Sequence, residues 1–165
     1  MIFVTVGTHE QQFDRLVSCI DGMKQRGEIQ EEVVIQTGFS TYEPKCCQWA
    51  KTFPYQKMRQ LVGDARIVIT HGGPSSFFMP LTMGKIPVVF PRQQRFSEHV
   101  NDHQLCFCRQ LKERGGSILL AEDEEQLKDI LEHYDSLAAS LTAGRENNNE
   151  SFNQNFEKMV NELFR

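Results

Sequence analysis

The feature that constrains this chain most is an alternation. Short runs rich in β-branched residues, "IFVTV" (2–6), "EVVIQT" (32–37), "ARIVIT" (65–70), "IPVVF" (86–90) and "SILLA" (117–121), are separated by longer stretches with helical spacing. A near-continuous apolar run buries both of its faces, and a helix between successive strands carries the chain back to the same starting edge. The pattern therefore predicts an α/β fold, with a parallel sheet covered by helices on both sides. Phe13, Leu16, Val17 and Ile20 fall at i, i+3, i+4 and i+7 and predict a helix over about 10–25. Met58, Leu61 and Val62 mark a short helix before the third run. Pro74 suits the first position of a helix over 74–84, because its missing N–H has no partner to lose there. Two more helices are expected over 99–114 and 123–137, the second opening on the acidic turn "EDEEQ". "RENNNESFNQN" (145–155) reads as a polar loop, and Phe156, Met159, Val160 and Leu163 give a last amphipathic helix over about 151–164. Neither repeats nor a second domain are evident, so the expectation is one domain over 1–165 with its core in 1–137.

Composition narrows the function classes. With 39% hydrophobic residues, 24% charged residues and a formal net charge of −4, the chain has the make-up of a globular domain and no basic field to recommend nucleic acid. Its five cysteines (Cys19, Cys46, Cys47, Cys106, Cys108) include an adjacent pair and a C-x-C. Neither pattern is a disulfide framework or a C-x-x-C metal or redox site, which points to reduced thiols in the cytoplasm. "MIFVTVGTHE" is too short and lacks the basic flank of a signal peptide. No stretch approaches the ~18–20 apolar residues that span a bilayer.

Three strand ends carry polar chemistry. "VGTHEQQFD" leaves the first run through Gly7 and Thr8, with His9 and Glu10 following. "THGGPSS" leaves the third through His71, Gly72 and Gly73, then opens a helix with Ser75 and Ser76 in its first turn. Glycines allow close backbone approach to an anion, and first-turn amides and hydroxyls donate to it, so this turn has the make-up of a phosphate cradle. It matches neither G-x-x-x-x-G-K-[ST] nor G-x-G-x-x-G, and a Gly-Gly strand-to-helix turn also serves purely structural ends. "VVFPRQQRFSEHVNDHQ" leaves the fourth through Pro91 and Arg92 and carries Glu98, His99, Asn101, Asp102, His103 and Gln104. Carboxylates and amides suit sugar hydroxyls, although the same residues also suit a capped, solvated helical turn. All three ends are expected at the carboxyl edge of the sheet, where open α/β folds collect ligands.

In order, "TVGTHEQQFDRLV", "ITHGGPSS", "GKIPVVFPR" and "EHVNDHQ" resemble the C-terminal, nucleotide-sugar-binding half of the glycosyltransferases related to MurG. The closest likeness is to the stand-alone catalytic subunit of two-component UDP-sugar transferases, in the bacterial exopolysaccharide and capsule branch. The resemblance covers roughly 1–121. It implies a Rossmann-like sheet, the C-terminal half of a GT-B glycosyltransferase, and the following jobs. Gly7 and Thr8 would face the diphosphate or acceptor, and His71, Gly72, Gly73, Ser75 and Ser76 would bind the UDP phosphates. Pro91 and Arg92 would line the uracil pocket, and Asn101, Asp102, His103 and Gln104 would contact the donor sugar. The family's ribose-holding acid falls at Met79 here, which leaves Glu98 as the ribose candidate.

The implied reaction is inverting transfer from a UDP-sugar to a lipid-linked saccharide acceptor. Helix amides around 73–76 would stabilise the leaving UDP. No cofactor is expected, and no metal, since there is no D-x-D triplet or compact carboxylate cluster. His9, backed by Glu10, is the candidate general base, unless a partner supplies one. One such domain leaves the acceptor unpositioned, so the expected partner is a membrane-anchored, acceptor-binding subunit that recruits this protein to the inner face of the cell membrane. The C-terminal segment 151–164, with Phe152, Phe156, Met159, Val160, Leu163 and Phe164, is the candidate docking element. Two rival readings are a non-catalytic subunit that stabilises a partner transferase and a Rossmann-like enzyme acting on another nucleotide.

Overall fold

The computed structural model describes residues 1–145 and Lys158. The loop expected at 145–155 (beyond Arg145 itself) and the helix expected at 151–164 (Lys158 apart) lie outside the described residues.

Every expected run forms a strand: β1 (Ile2–Thr5), β2 (Val33–Gln36), β4 (Ile67–Thr70), β5 (Val88–Val89) and β6 (Leu119–Leu120). A further strand, β3 (Gln48–Ala50), was not expected. Its three residues carry no β-branched side chain, and as the outermost strand beside β2 it needs no two-sided apolar run. Among the described residues the sheet has six strands in the order β3-β2-β1-β4-β5-β6, with every pairing parallel. The order reverses between β1 and β4, where the crossovers before and after run to opposite sides and leave a crevice at the carboxyl edge.

The helices are α1 (Asp14–Gln25), α2 (Tyr55–Asp64), α3 (Pro74–Thr82), α4 (His103–Glu113), α5 (Glu124–Glu132) and α6 (Tyr134–Arg145). Alternation along the strands sorts them. Val4, Ile35 and Ile69 pack with Leu16, Val17 and Ile20 of α1 and with Leu127 and Tyr134 on one face. Phe3, Val34 and Val68 pack under Leu61 and Val62 of α2 on the other, where Val89 and Leu120 meet α3 and α4 through Phe77, Leu81, Phe107 and Leu111. Three expected boundaries move. The first helix starts at Asp14 rather than 10, and α4 at His103 rather than 99, because the preceding residues form the rim loops. The segment expected as one helix over 123–137 is two, broken at His133; the Tyr134 hydroxyl is drawn under the sheet to donate to the Ile86 carbonyl at 2.7 Å. Among the described residues no helix is long and apolar enough to cross a membrane.

Candidate functional site

Because all strands run parallel, the β1–α1 loop (6–13), the β4–α3 turn (71–73) and the β5–α4 loop (90–102) emerge at one edge, around the β1/β4 crevice. Side chains fasten the three together. Gln104, in the first turn of α4, accepts with Oε1 from the Gly72 amide at 3.1 Å and from the Arg92 amide at 3.2 Å. A Cβ on Gly72 would lie 2.9 Å from the Cβ atoms of both Gln104 and Pro91, so a side chain there would push the two loops apart. Gly7, at φ +74°, brings the β1–α1 loop against the His71 ring: a Cβ there would sit 2.4 Å from His71 Nε2.

His71 is the centre of the glycine turn. It is buried, its Nδ1 accepts from the Gly73 amide at 3.0 Å, and its Nε2 lies 2.7 Å from Ser76 Oγ. Burial, reinforced by the positive charge of Arg92, pulls its pKa down to about 4, so the ring is neutral at physiological pH. Ser75 is exposed and Ser76 half-buried, both in the first turn of α3, where Pro74 removes one amide from the donor set.

The other expected contacts divide. Thr8 and Glu10 are exposed on the first loop, and His103 is exposed at the start of α4. Asn101 and Asp102 are half-buried and turned on their own loop: Asn101 Oδ1 accepts from the His103 amide at 3.1 Å and Asp102 Oδ1 from the Gln94 amide at 2.8 Å. Pro91 is buried beneath the loop.

Arg92 and Glu98 sit otherwise than expected, and both correct the reading from residue type. Neither is solvent-exposed at all. The Arg92 guanidinium lies within the domain rather than lining a base pocket: Nη1 donates to the carbonyls of Gln11, Gln12 and Glu98, and Nη2 to that of Val6 at 2.9 Å. Burial lowers its pKa to about 10 while Glu98 opposes the shift, leaving it charged at neutral pH. The Glu98 carboxylate is held bidentately by Arg15, at 2.8 and 2.9 Å, and accepts from the Gln93 amide, so it is not presented to a ribose. Arg15, which the sequence reading passed over, stacks 4.3 Å from the Phe90 ring centre and 4.5 Å from that of Phe96.

His9, the candidate base, is half-buried on the first loop. Its Nδ1 accepts from the Gln11 amide at 3.2 Å, which in the neutral ring places the proton on Nε2. Burial, Arg92 and His99 all push its pKa down, against Glu10. The His99 ring centre is 4.9 Å away, pairing two imidazoles across the loops.

Two features of the rim are not evident from residue types alone. The unexpected β3 delivers 51–54 and the exposed Tyr55 to the same edge. Beneath the crevice, the last residues of β2, β1 and β4 (Gln36, Thr5 and Thr70) stand side by side in register and are buried. Thr5 Oγ1 accepts from the Gly7 amide, whereas Gln36 Oε1 and Thr70 Oγ1 have no partner among the described residues. Polar residues at the end of an apolar run were the available signal.

The sequence profile of the glycosyltransferase family 28 C-terminal domain matches residues 1–163. The chain belongs to that family. Solved structures agree in fold. The glycosyltransferase SnogD from Streptomyces nogalater superposes with a TM-score of 0.52 at 16% identity, over 86% of this chain and 37% of that one. The calicheamicin glycosyltransferase CalG4 gives 0.53 at 14% identity, over 98% of this chain and 43% of that one. This family 28 domain thus spans less than half the length of either. No curated protein sequence matches it.

Proposed function

We propose that this domain is the donor-binding, catalytic subunit of a two-component inverting glycosyltransferase. It moves a sugar from a UDP-sugar to a lipid-linked acceptor in exopolysaccharide or capsule assembly. Membership of family 28 supports sugar transfer, and the sequence resemblance supports the UDP donor and the two-component branch. The observation that carries the reading is the convergence of Gly7, the His71–Ser76 turn and Gln104 on one crevice at the strand-order reversal, with the α3 N-terminus opening into it.

The diphosphate lies over Gly72 and Gly73, against the Ser75 amide and the hydroxyls of Ser75 and Ser76, since the Gly72, Gly73 and Ser76 amides are bonded to Gln104, His71 and the Gly73 carbonyl. As the sugar–phosphate bond breaks, negative charge builds on UDP. Fixed amides and hydroxyls at a helix N-terminus favour that charge without reorganising. Thr8, Asn101, Asp102 and His103 border the sugar, and Arg92 and Glu98 hold the loops that carry them. His9, proton on Nε2, acts as a donor, and the base that deprotonates the acceptor belongs to the second component. We place that component on a membrane-anchored protein, which would draw this one to the inner membrane face and complete the cleft that orients the acceptor and excludes water.

The test is reconstitution. Purified protein is incubated with UDP-sugars and lipid-linked acceptor, with and without the proposed membrane-anchored component. Transfer only in the pair, lost with Ser75→Ala/Ser76→Ala, is the expected result. UDP binding to neither the protein nor the pair would contradict it.

A further inference from the structure

His71 is buried at the centre of the glycine turn, and its two nitrogens have different partners. A backbone amide can only donate, so the Gly73 N–H at 3.0 Å requires a lone pair on Nδ1. In the neutral ring the proton must then be on Nε2, and the partner there, 2.7 Å away, is Ser76 Oγ. The bond therefore runs from histidine to serine, the reverse of the direction in a nucleophile–base pair. Ser76 Oγ accepts, and its own proton has to leave elsewhere. Among the described residues no acceptor takes it, although a helical serine commonly returns its proton to a carbonyl of the preceding turn.

We infer that His71 is a positioning residue: it donates through Nε2–H to Ser76 and thereby turns the Ser76 hydroxyl proton out of the domain, as a donor to one phosphate oxygen of the nucleotide. The packing supports a fixed ring. Gly7 borders its Nε2–Cδ2 edge and Gly73 its Cε1–Nδ1 edge, where a Cβ would come within 2.4 Å of Nε2 and 2.3 Å of Cε1 respectively. Burial and the nearby Arg92 charge keep the imidazole neutral against an opposing hydrogen bond with the Gln104 side chain, and a second proton on Nδ1 would face the Gly73 N–H donor to donor. The glycines at 7 and 73 thus admit the ring, the ring sets the serine, and the serine meets the ligand. The inference rests on the donor-site reading for its last step alone.

Two measurements test it. In histidine-¹⁵N-labelled protein at neutral pH, two-bond ¹H–¹⁵N correlations should show His71 as the Nε2–H tautomer. An Nδ1–H ring or an imidazolium overturns the arrangement, with no ligand needed. The second is a double-mutant cycle on UDP affinity. Ser76→Ala should weaken binding about tenfold to a hundredfold, the loss of one hydrogen bond to a charged group. His71→Met should cost a similar factor, the double variant no more than the larger single loss, and His71→Gln, which keeps an N–H donor, should recover most of the affinity. Losses that multiply would mean that His71 meets the phosphate itself, and overturn the proposal. Failure of the wild type to bind UDP would instead sink the donor-site reading, while the spectrum still decides the His71–Ser76 bond.

Discussion

Gly73→Ala isolates the steric logic of the glycine turn. Gly73 has φ −76° and ψ 128°, which alanine adopts freely, so backbone strain contributes nothing. In an open site the change would stabilise the fold by about 0.4–1 kcal/mol through the unfolded chain. Here the new Cβ would stand 2.3 Å from His71 Cε1, 3.0 Å from Nδ1 and 3.3 Å from Nε2. Carbon atoms settle at about 3.5 Å or more, so the ring must retreat by about 1.2 Å. It is buried, held at both nitrogens, and bordered by Gly7. Overpacking of this kind costs about 1–3 kcal/mol. The middle of that range corresponds to a fall of about 4–8 °C in Tm for a chain of this size. Urea denaturation of four proteins provides the assay: wild type, Gly73→Ala, His71→Ala and the double variant. With the ring removed, the extra methyl should cost less than about 0.5 kcal/mol. An equal cost in both backgrounds, or none in the wild type, would refute the argument that the glycine exists to admit His71.

Three more outcomes follow from the same geometry. Arg92→Met should destabilise the domain by about 3–5 kcal/mol in urea melts, because four loop carbonyls lose their donor and the buried Glu98–Arg15 pair loses its neighbour. Stability should fall as pH drops from about 6.5 to about 4: the unfolded chain protonates His71 near 6.5, the folded one only near 4, and the gap is worth about 3 kcal/mol. Above that window the term vanishes, so the wild type but not His71→Gln should show this part of the acid sensitivity in denaturation midpoints. In the reconstituted pair, His9→Gln, which cannot act as a base but still donates, should keep most of the transfer rate, while His9→Phe should not.

Fold and site differed in how far they could be read. "IFVTV" and "ARIVIT" announce central parallel strands because burial on both faces leaves no polar position to disguise them. "QWA" at 48–50 does not, since an edge strand needs neither length nor apolar continuity. The break at His133 carries no glycine or proline; it is set by a tyrosine reaching for a carbonyl 48 positions earlier. In the site, the Gly-Gly turn and the polar run after "VVF" were legible as rim loops. Which of their polar residues face outward was not. Glu98 and Arg92 have the chemistry of ligand contacts, and only partners 83 and 86 positions away, Arg15 and the Val6 carbonyl, reveal them as internal struts. The direction of the His71–Ser76 bond follows from one backbone amide that residue types do not disclose.

The most direct test of the account is a UDP titration of the ¹⁵N-labelled protein followed through its backbone amides. Saturable shifts are expected to concentrate at Gly7 and Thr8, at Gly72, Gly73, Ser75 and Ser76, and at Asn101 to Gln104. Shifts confined to the opposite edge of the sheet, or none at millimolar UDP with the partner present, would contradict it.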